Sequence, residues 1–217
     1  SALDAAGLGE ESVRGQIMTL FAAGHETTAN GMGWTLHLLA RHPEWQERVA
    51  NECQTFLAGL KAEQANDPRA YRAGLPILTA AIDESHRMYP PIPIVGREAL
   101  EDDVLSGGAK IPKGSTLVIF LYGLHRRPDL WVNANGFDPG RFLGERRAAI
   151  PAHAFFPFGF GPRVCGGASM AIIEELVVLA HLLAKVRVEP TLPEMPRALP
   201  ILSLRPLGDT RLRMIQR

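Results

Sequence analysis

Two short stretches of this chain carry side chains whose types and spacing could do chemistry: Ala22 to Ala29, reading AAGHETTA, and Phe156 to Ala171, reading FPFGFGPRVCGGASMA. The first nearly spells the helical zinc motif H-E-x-x-H. Ala29, however, stands where the second histidine must lie one turn on, so no pair of imidazoles faces a metal. What remains is an acid beside a hydroxyl, and Glu26 with Thr27 can hold a water and pass protons from it. Thr27 is expected to reach back to the carbonyl of Ala23, its i−4 neighbour. A competing hydroxyl or water would open the helix there, and Gly24 leaves room for that groove. In the second stretch glycines and a proline hold Cys165 in a constrained turn ahead of a helix. Free N–H groups and the positive end of a helix dipole favour a thiolate at such a place. Backbone donors tune the electron density the sulfur offers a metal. Arg163 can point its guanidinium at an anion beside the same site, and Phe158 can cover the sulfur.

The elements that must position these stretches follow from composition and period. At 217 residues and 46% hydrophobic content the chain can bury a substantial core. Lys+Arg and Asp+Glu are equal at 23 each, which leaves no general basic field to hold nucleic acid. Cys53 and Cys165 lie far apart in different surroundings, against a disulfide framework and for a reducing compartment or a thiol with a task. No apolar run approaches the ~18 residues that span a bilayer, so a soluble, cytoplasmic location is expected, with any membrane anchor upstream. The opening SALDAAGLGEES has neither an initiator methionine nor a signal composition, and the chain is expected to be a piece of a longer one. Apolar positions recur at helical spacing from about Glu10 to Cys53, with Pro43 starting a second helix. KAEQANDPRAYRAGL reads as a loop with a helical turn, and LTAAIDESHRMY as a helix closed by Pro90-Pro91. Residues 92–122 read as short strands joined by turns, and Arg126 to Phe158 as an ordered meander. MAIIEELVVLAHLLAKV is apolar around most of its circumference and is expected to be buried on several sides. The ending LPILSLRPLGDTRLRMI reads as a hairpin turning near Gly208-Asp209.

Phe158, Gly161, Arg163, Cys165 and Gly167 form the pattern F-x-x-G-x-R-x-C-x-G, which resembles the haem-binding signature of the cytochrome P450 family. AGHETT resembles that family's oxygen-activation segment, Glu84-Ser85-His86-Arg87 its E-x-x-R helix, and FDPGRF the segment supplying a further arginine, Arg141. The resemblance implies a mainly α fold with small β-sheets, the C-terminal half of the cytochrome P450 fold. Its parts would be a long central helix, the E-x-x-R helix, a meander, a Cys-ligand loop, a buried helix and a terminal hairpin. Residues 1–217 would be the C-terminal portion of one haem-thiolate domain whose N-terminal half lies elsewhere.

By the same resemblance Cys165 would ligate the iron of haem b, and thiolate ligation favours O–O bond cleavage, which needs protons. Glu26 and Thr27 would supply them. Arg163, Arg97 and His125 would face the propionates, with Phe158, Gly161, Gly167 and Ala23 also against the cofactor. Glu84, Arg87 and Arg141 would form a buried structural network, although Gly140 stands where the family often has an acid. Ala22, Ile92, Ile94, Ile201 and Leu202 would line the pocket of an apolar substrate. The implied activity is a haem-thiolate monooxygenase inserting one oxygen atom from O2 into such a molecule. Electrons would come from NAD(P)H through an electron-donor protein or fused reductase, and a basic patch of Arg126, Arg127, Arg146 and Arg147 would dock an acidic donor. A peroxygenase or isomerase and a non-catalytic fragment without haem are the competing readings; such enzymes often lose the acid–hydroxyl pair, which is present here. His37, His42, His86, His153 and His181 show no ligand spacing.

Overall fold

The computed structural model describes residues 9–65 and 67–217; residues 1–8 and 66, which the expected domain range includes, lie outside it. A 32-residue helix, α1 (Glu10–Arg41), opens the fold, with Glu10 and Glu11 in its first turn and Arg41 in its last, each sign opposite to the dipole end it sits on. Its first half projects from the body, leaving Ile17, Met18, Leu20 and Phe21 54–68% exposed, whereas Trp34, Leu38 and Leu39 of its second half are buried. Pro43 begins α2 (Pro43–Gly59) at a position where a missing N–H costs nothing.

The stretch read as a loop contains a 3₁₀ turn (Ala62–Gln64) and α3 (Pro68–Gly74), capped by Asp67, whose carboxylate accepts from the Arg69 amide. Next comes α4 (Pro76–Met88), the helix that carries Glu84 and Arg87. It has no cap of its own. Glu52 of α2 serves instead, its carboxylate accepting from the Ile77 and Leu78 amides, both at 2.8 Å. Burial raises the pKa of Glu52, while those two amides pull it back.

Strands β1 (Ile94–Glu98) and β4 (Thr116–Phe120) pair antiparallel with Ile94 opposite Phe120, and the short β2 (Asp103–Val104) and β3 (Lys110–Ile111) form a hairpin between them. The chain then runs through α5 (Leu121–Leu124), a 3₁₀ turn (Pro139–Phe142) and α6 (Gly144–Ala148). This meander has its own small core of Trp131, Ala134, Phe142 and Ala154 on Ala80 of α4. Helix α7 (Ala168–Leu183) follows the cysteine loop. Its Ile172, Leu176, Leu179 and Leu183 enter the main core, but Met170 and Val178 remain 71% and 45% exposed, so its burial is less complete than its composition suggests.

The C-terminal strands correct the expected hairpin. β8 (Leu212–Gln216) pairs not with its predecessor but with β5 (Val186–Pro190), and the true hairpin joins β6 (Arg197–Pro200) to β7 (Leu204–Leu207) around Ile201 to Ser203. Gly208, at φ +98°, merely turns the chain away from β7. Beside β5 the buried amide of Gln46 does what a neighbouring strand would do: Nε2 donates to the Val188 carbonyl at 2.9 Å and Oε1 accepts from the Val188 amide at 2.8 Å. Among the described residues no helix is long and apolar enough to cross a membrane.

Candidate functional site

Around Cys165 the chain is bent by two residues in the left-handed region, Gly159 at φ +75° and Gly161 at φ +71°, where a Cβ would be strained. A 3₁₀ turn at Gly161–Arg163 follows, and the Cys165 amide donates to the Phe158 carbonyl at 3.0 Å, closing the loop. Helix α7 starts at Ala168 with Gly167 as its cap, so the cysteine stands ahead of the first turn. Residues 160–167 form a continuous exposed stretch, and Cys165 is an exposed free thiol. Phe158 is half-buried and meets the His86 ring edge-on at 5.7 Å, fastening the loop to α4. Cys53, by contrast, is wholly buried, and desolvation with the neighbouring Glu52 pushes its thiol up to about 12. It is packing, not chemistry.

On α1, the Thr27 hydroxyl donates to the Ala23 carbonyl at 2.7 Å, the contact expected from i−4 spacing. A Cβ built on Gly24 would meet nothing within 4 Å. Glu26 is half-buried, and one of its oxygens accepts from the Ser203 hydroxyl at 2.7 Å. Ser203 in turn accepts from the Asn30 side-chain amide at 2.9 Å. Sequence reasoning missed both residues; the only trace is a lone polar residue between Leu202 and Leu204 and an Asn one turn after Glu26. The bond from the Leu204 amide to the Pro91 carbonyl, at 2.7 Å, brings the β6–β7 turn beside Ile92. Ile94, Ile201 and Leu202 are 50%, 68% and 78% exposed, and Ala22 and Ala23 are exposed on the helix.

One turn beyond Thr27, Gly31 lies against a buried pair: His86 Nε2 is 3.2 Å from Glu175 Oε1, and a Cβ on Gly31 would come within 2.3 Å of that oxygen. Burial lowers the His86 pKa, but the charge and hydrogen bond of Glu175, with Asp83 behind it, more than offset this and the net direction is upward. His86 Nδ1 and Glu175 Oε2 have no partner. The pair joins α4, α7 and the central helix at one point.

Glu84, Arg87 and Arg141 meet in the interior. Arg87 donates to both Glu84 oxygens at 2.7 and 2.8 Å, and Arg141 Nε reaches Glu84 Oε1 at 3.3 Å. Arg87 also donates to the carbonyls of His125, Ala134 and Gly136, so one guanidinium pins three points of the meander. Trp131 lies 5.1 Å from it, face-on. With no acid at position 140, Arg141 Nη2 donates instead to the Asn133 carbonyl at 3.0 Å, and the Asp138 amide adds a fourth bond to Glu84 at 2.9 Å.

Two sequence expectations are qualified. His125 is completely buried, its Nε2 accepts from the Phe156 amide at 3.4 Å, and burial together with Arg87 and Arg126 pushes its pKa down to about 4. A neutral, enclosed imidazole offers no positive charge, so the expected propionate contact would have to be a neutral hydrogen bond from Nδ1, a buried atom without a partner; Nε2 braces the loop ahead of Phe158. The four arginines of the expected basic patch all have partners. Arg127 pairs with Asp129, Arg146 with Asp138 and Arg147 with Asp83, while Arg126 stacks on Tyr122 at 3.7 Å. The two remaining cations differ: Arg163 is exposed, Arg97 donates only to the carbonyl of its neighbour Gly96, and neither has a carboxylate partner among the described residues.

The donor set suits haem. Among the described residues no group of three or more His, Cys, Asp or Glu could cage an ion. A lone exposed thiol with two unmatched arginines and apolar Phe160, Val164 and Met170 exposed nearby fits a flat, apolar, anionic group that needs one protein ligand.

Comparison with known proteins agrees. The cytochrome P450 family model matches residues 2–209. Human cytochrome P450 4F2 is 40% identical over 208 residues, and mouse leukotriene-B4 omega-hydroxylase 3 is 40% identical over 207. Each alignment takes in 95% of this chain but only 39% of the relative, so the chain spans well under half the length of these relatives. The solved heme domain of cytochrome P450DA superposes with a TM-score of 0.86 at 31% identity, over 97% of this chain and 46% of that one.

Proposed function

The chain belongs to the cytochrome P450 family, and from that premise we propose that it serves a haem-thiolate monooxygenase acting on an apolar or amphiphilic organic molecule. The single observation that carries this is the exposed Cys165 held in a loop bent at Gly159 and Gly161 and pinned through Phe158. Bound there, haem supplies the activation of O2, with electrons from NAD(P)H delivered by a reductase.

The chain's own residues divide the remaining work. Cys165 would give its sulfur to the iron, and Arg163 and Arg97 would hold the two propionates. Glu26 and Thr27 would hold and move protons at the distal side, where the Thr27 hydroxyl already bends back onto Ala23 and can turn to a water. Ile92, Ile94, Ile201 and Leu202 would orient the substrate and exclude water. The omega-hydroxylase named among the relatives supports a lipid with a polar end and attack on the far terminus of its chain. The Glu84–Arg87–Arg141 network would hold the meander, and so the sulfur, in place.

The test is spectroscopic. Haem-loaded protein, reduced and exposed to carbon monoxide, is expected to give the red-shifted Soret band of thiolate ligation. Cys165→Ser should abolish it and Cys53→Ser should not. A thiolate band that survives Cys165→Ser refutes the assignment. Incorporation of one labelled atom from ¹⁸O2 into a fatty-acid product, dependent on reductase, separates a monooxygenase from a peroxygenase.

A further inference from the structure

Glu26 is not a free acid on a helix. Its Oε1 accepts from the hydroxyl of Ser203, a residue only 1% exposed, and that hydroxyl accepts from the Asn30 amide. A serine hydroxyl has one proton. With Asn30 donating into the oxygen, that proton is committed to the carboxylate, so the chain runs in one direction, from Asn30 through Ser203 to Glu26. Oε2 has no protein partner among the described residues and is left to face water. We propose that Ser203, aligned by Asn30, is a positioning residue for proton delivery. It fixes the rotamer of Glu26 so that one oxygen is anchored to the β6–β7 turn and the other is left free to hold a water. The inference rests on the proton-relay reading of Glu26.

The placement of Ser203 gives this anchor a further property. Ile201 and Leu202, expected to touch substrate, are the two residues before it in the same turn, and the Leu204 amide after it is tied to Pro91. The acid is therefore set by the segment a substrate presses against, not by its own helix alone. A free glutamate spreads over several rotamers. Holding one of them matters because proton transfer demands hydrogen-bond reach and alignment.

The experiment uses the haem-loaded protein with its reductase and a fatty-acid substrate, and measures the share of NADPH electrons recovered in product rather than hydrogen peroxide. Glu26→Gln sets the scale. Ser203→Ala is expected to lower that share roughly tenfold and enlarge the solvent deuterium isotope effect, with the thiolate Soret band unchanged. Ser203→Thr, which keeps the hydroxyl, should restore most of it. Independently of turnover, the carboxylate infrared band that Glu26→Gln removes should shift in Ser203→Ala and in Asn30→Ala, so the inference stays testable if one variant folds poorly. If Glu26→Gln uncouples the enzyme while Ser203→Ala leaves coupling and the band alone, the positioning role is wrong. If Glu26→Gln itself changes nothing, the relay reading falls first and takes the inference with it.

Discussion

Replacing Glu175 by glutamine tests whether the buried His86–Glu175 contact is an ion pair that props the fold. Both side chains are at most 2% exposed and lie 3.2 Å apart. A hydrogen bond to a charged partner contributes about 1.5–3 kcal/mol, and that is the loss expected near pH 6, where the imidazole is protonated. Removing one charge of a buried pair can cost about 3–5 kcal/mol, but histidine can release its proton and escape the upper part of that range. Because the folded His86 pKa is raised, the folded state holds more protons than the unfolded chain above the ordinary histidine pKa of 6.5. The contribution is thus fully present below that value and is lost as pH rises through the folded pKa, at up to about 1.4 kcal/mol per pH unit. His37 and His125 are shifted downward, so they make stability rise with pH around 6.5, the opposite sign, and cannot mimic this slope. Cys53, pushed up to about 12, begins to lower stability as pH reaches the ordinary thiol value of about 8.5, but it does so equally in parent and variant and cancels in the gap between them. Urea unfolding between pH 6 and 8.5 should show the parent protein losing stability relative to Glu175→Gln, with the gap closing at the alkaline end. A constant gap across that range would refute the ion pair.

Glu84→Gln should leave Arg87 and Arg141 short of their shared counter-charge, cost about 3–5 kcal/mol in denaturant midpoints, and shift the thiolate band toward a thiol-ligated or haem-free spectrum. Gly31→Ala places a methyl within 2.3 Å of Glu175 Oε1 and 2.8 Å of His86 Nε2; a loss of about 1–3 kcal/mol is expected in thermal unfolding, smaller when combined with Glu175→Gln. Iodoacetamide applied to the haem-free protein should alkylate exposed Cys165 and spare Cys53, whose thiol is buried and pushed up to about 12, as read by peptide mass spectrometry.

The elements were legible wherever a local rule set them. Pro43 at a helix start, Pro90-Pro91 after a helix end and the glycines around Cys165 each act through backbone geometry within a few residues. Strand partners were not legible in the same way. Gly208-Asp209 has the composition of a hairpin turn, yet β8 seeks β5, where Val188 is buried against the central body, and no spacing between residues 204 and 212 reports that choice. The arginines failed similarly: Asp129, two residues from Arg127, could be foreseen as a partner, whereas Asp83 lies 64 residues from Arg147. Single residues of the site divide along the same line. Thr27 bonds within its own helix and was predictable; the role of Ser203 depends on a contact spanning 177 positions.

The reciprocal bonds between Gln46 and Val188 have a bearing on solubility. A two-stranded ribbon presents unpaired amides and carbonyls on both margins, and such a margin recruits strands from other molecules. By occupying the central donor and acceptor of β5, one carboxamide blunts that side of the β5–β8 ribbon and denies a foreign strand its register. An apolar replacement at position 46 would leave the buried Val188 amide and carbonyl unpaired, at about 1–3 kcal/mol each, and the loosened margin should then show as aggregation at high concentration.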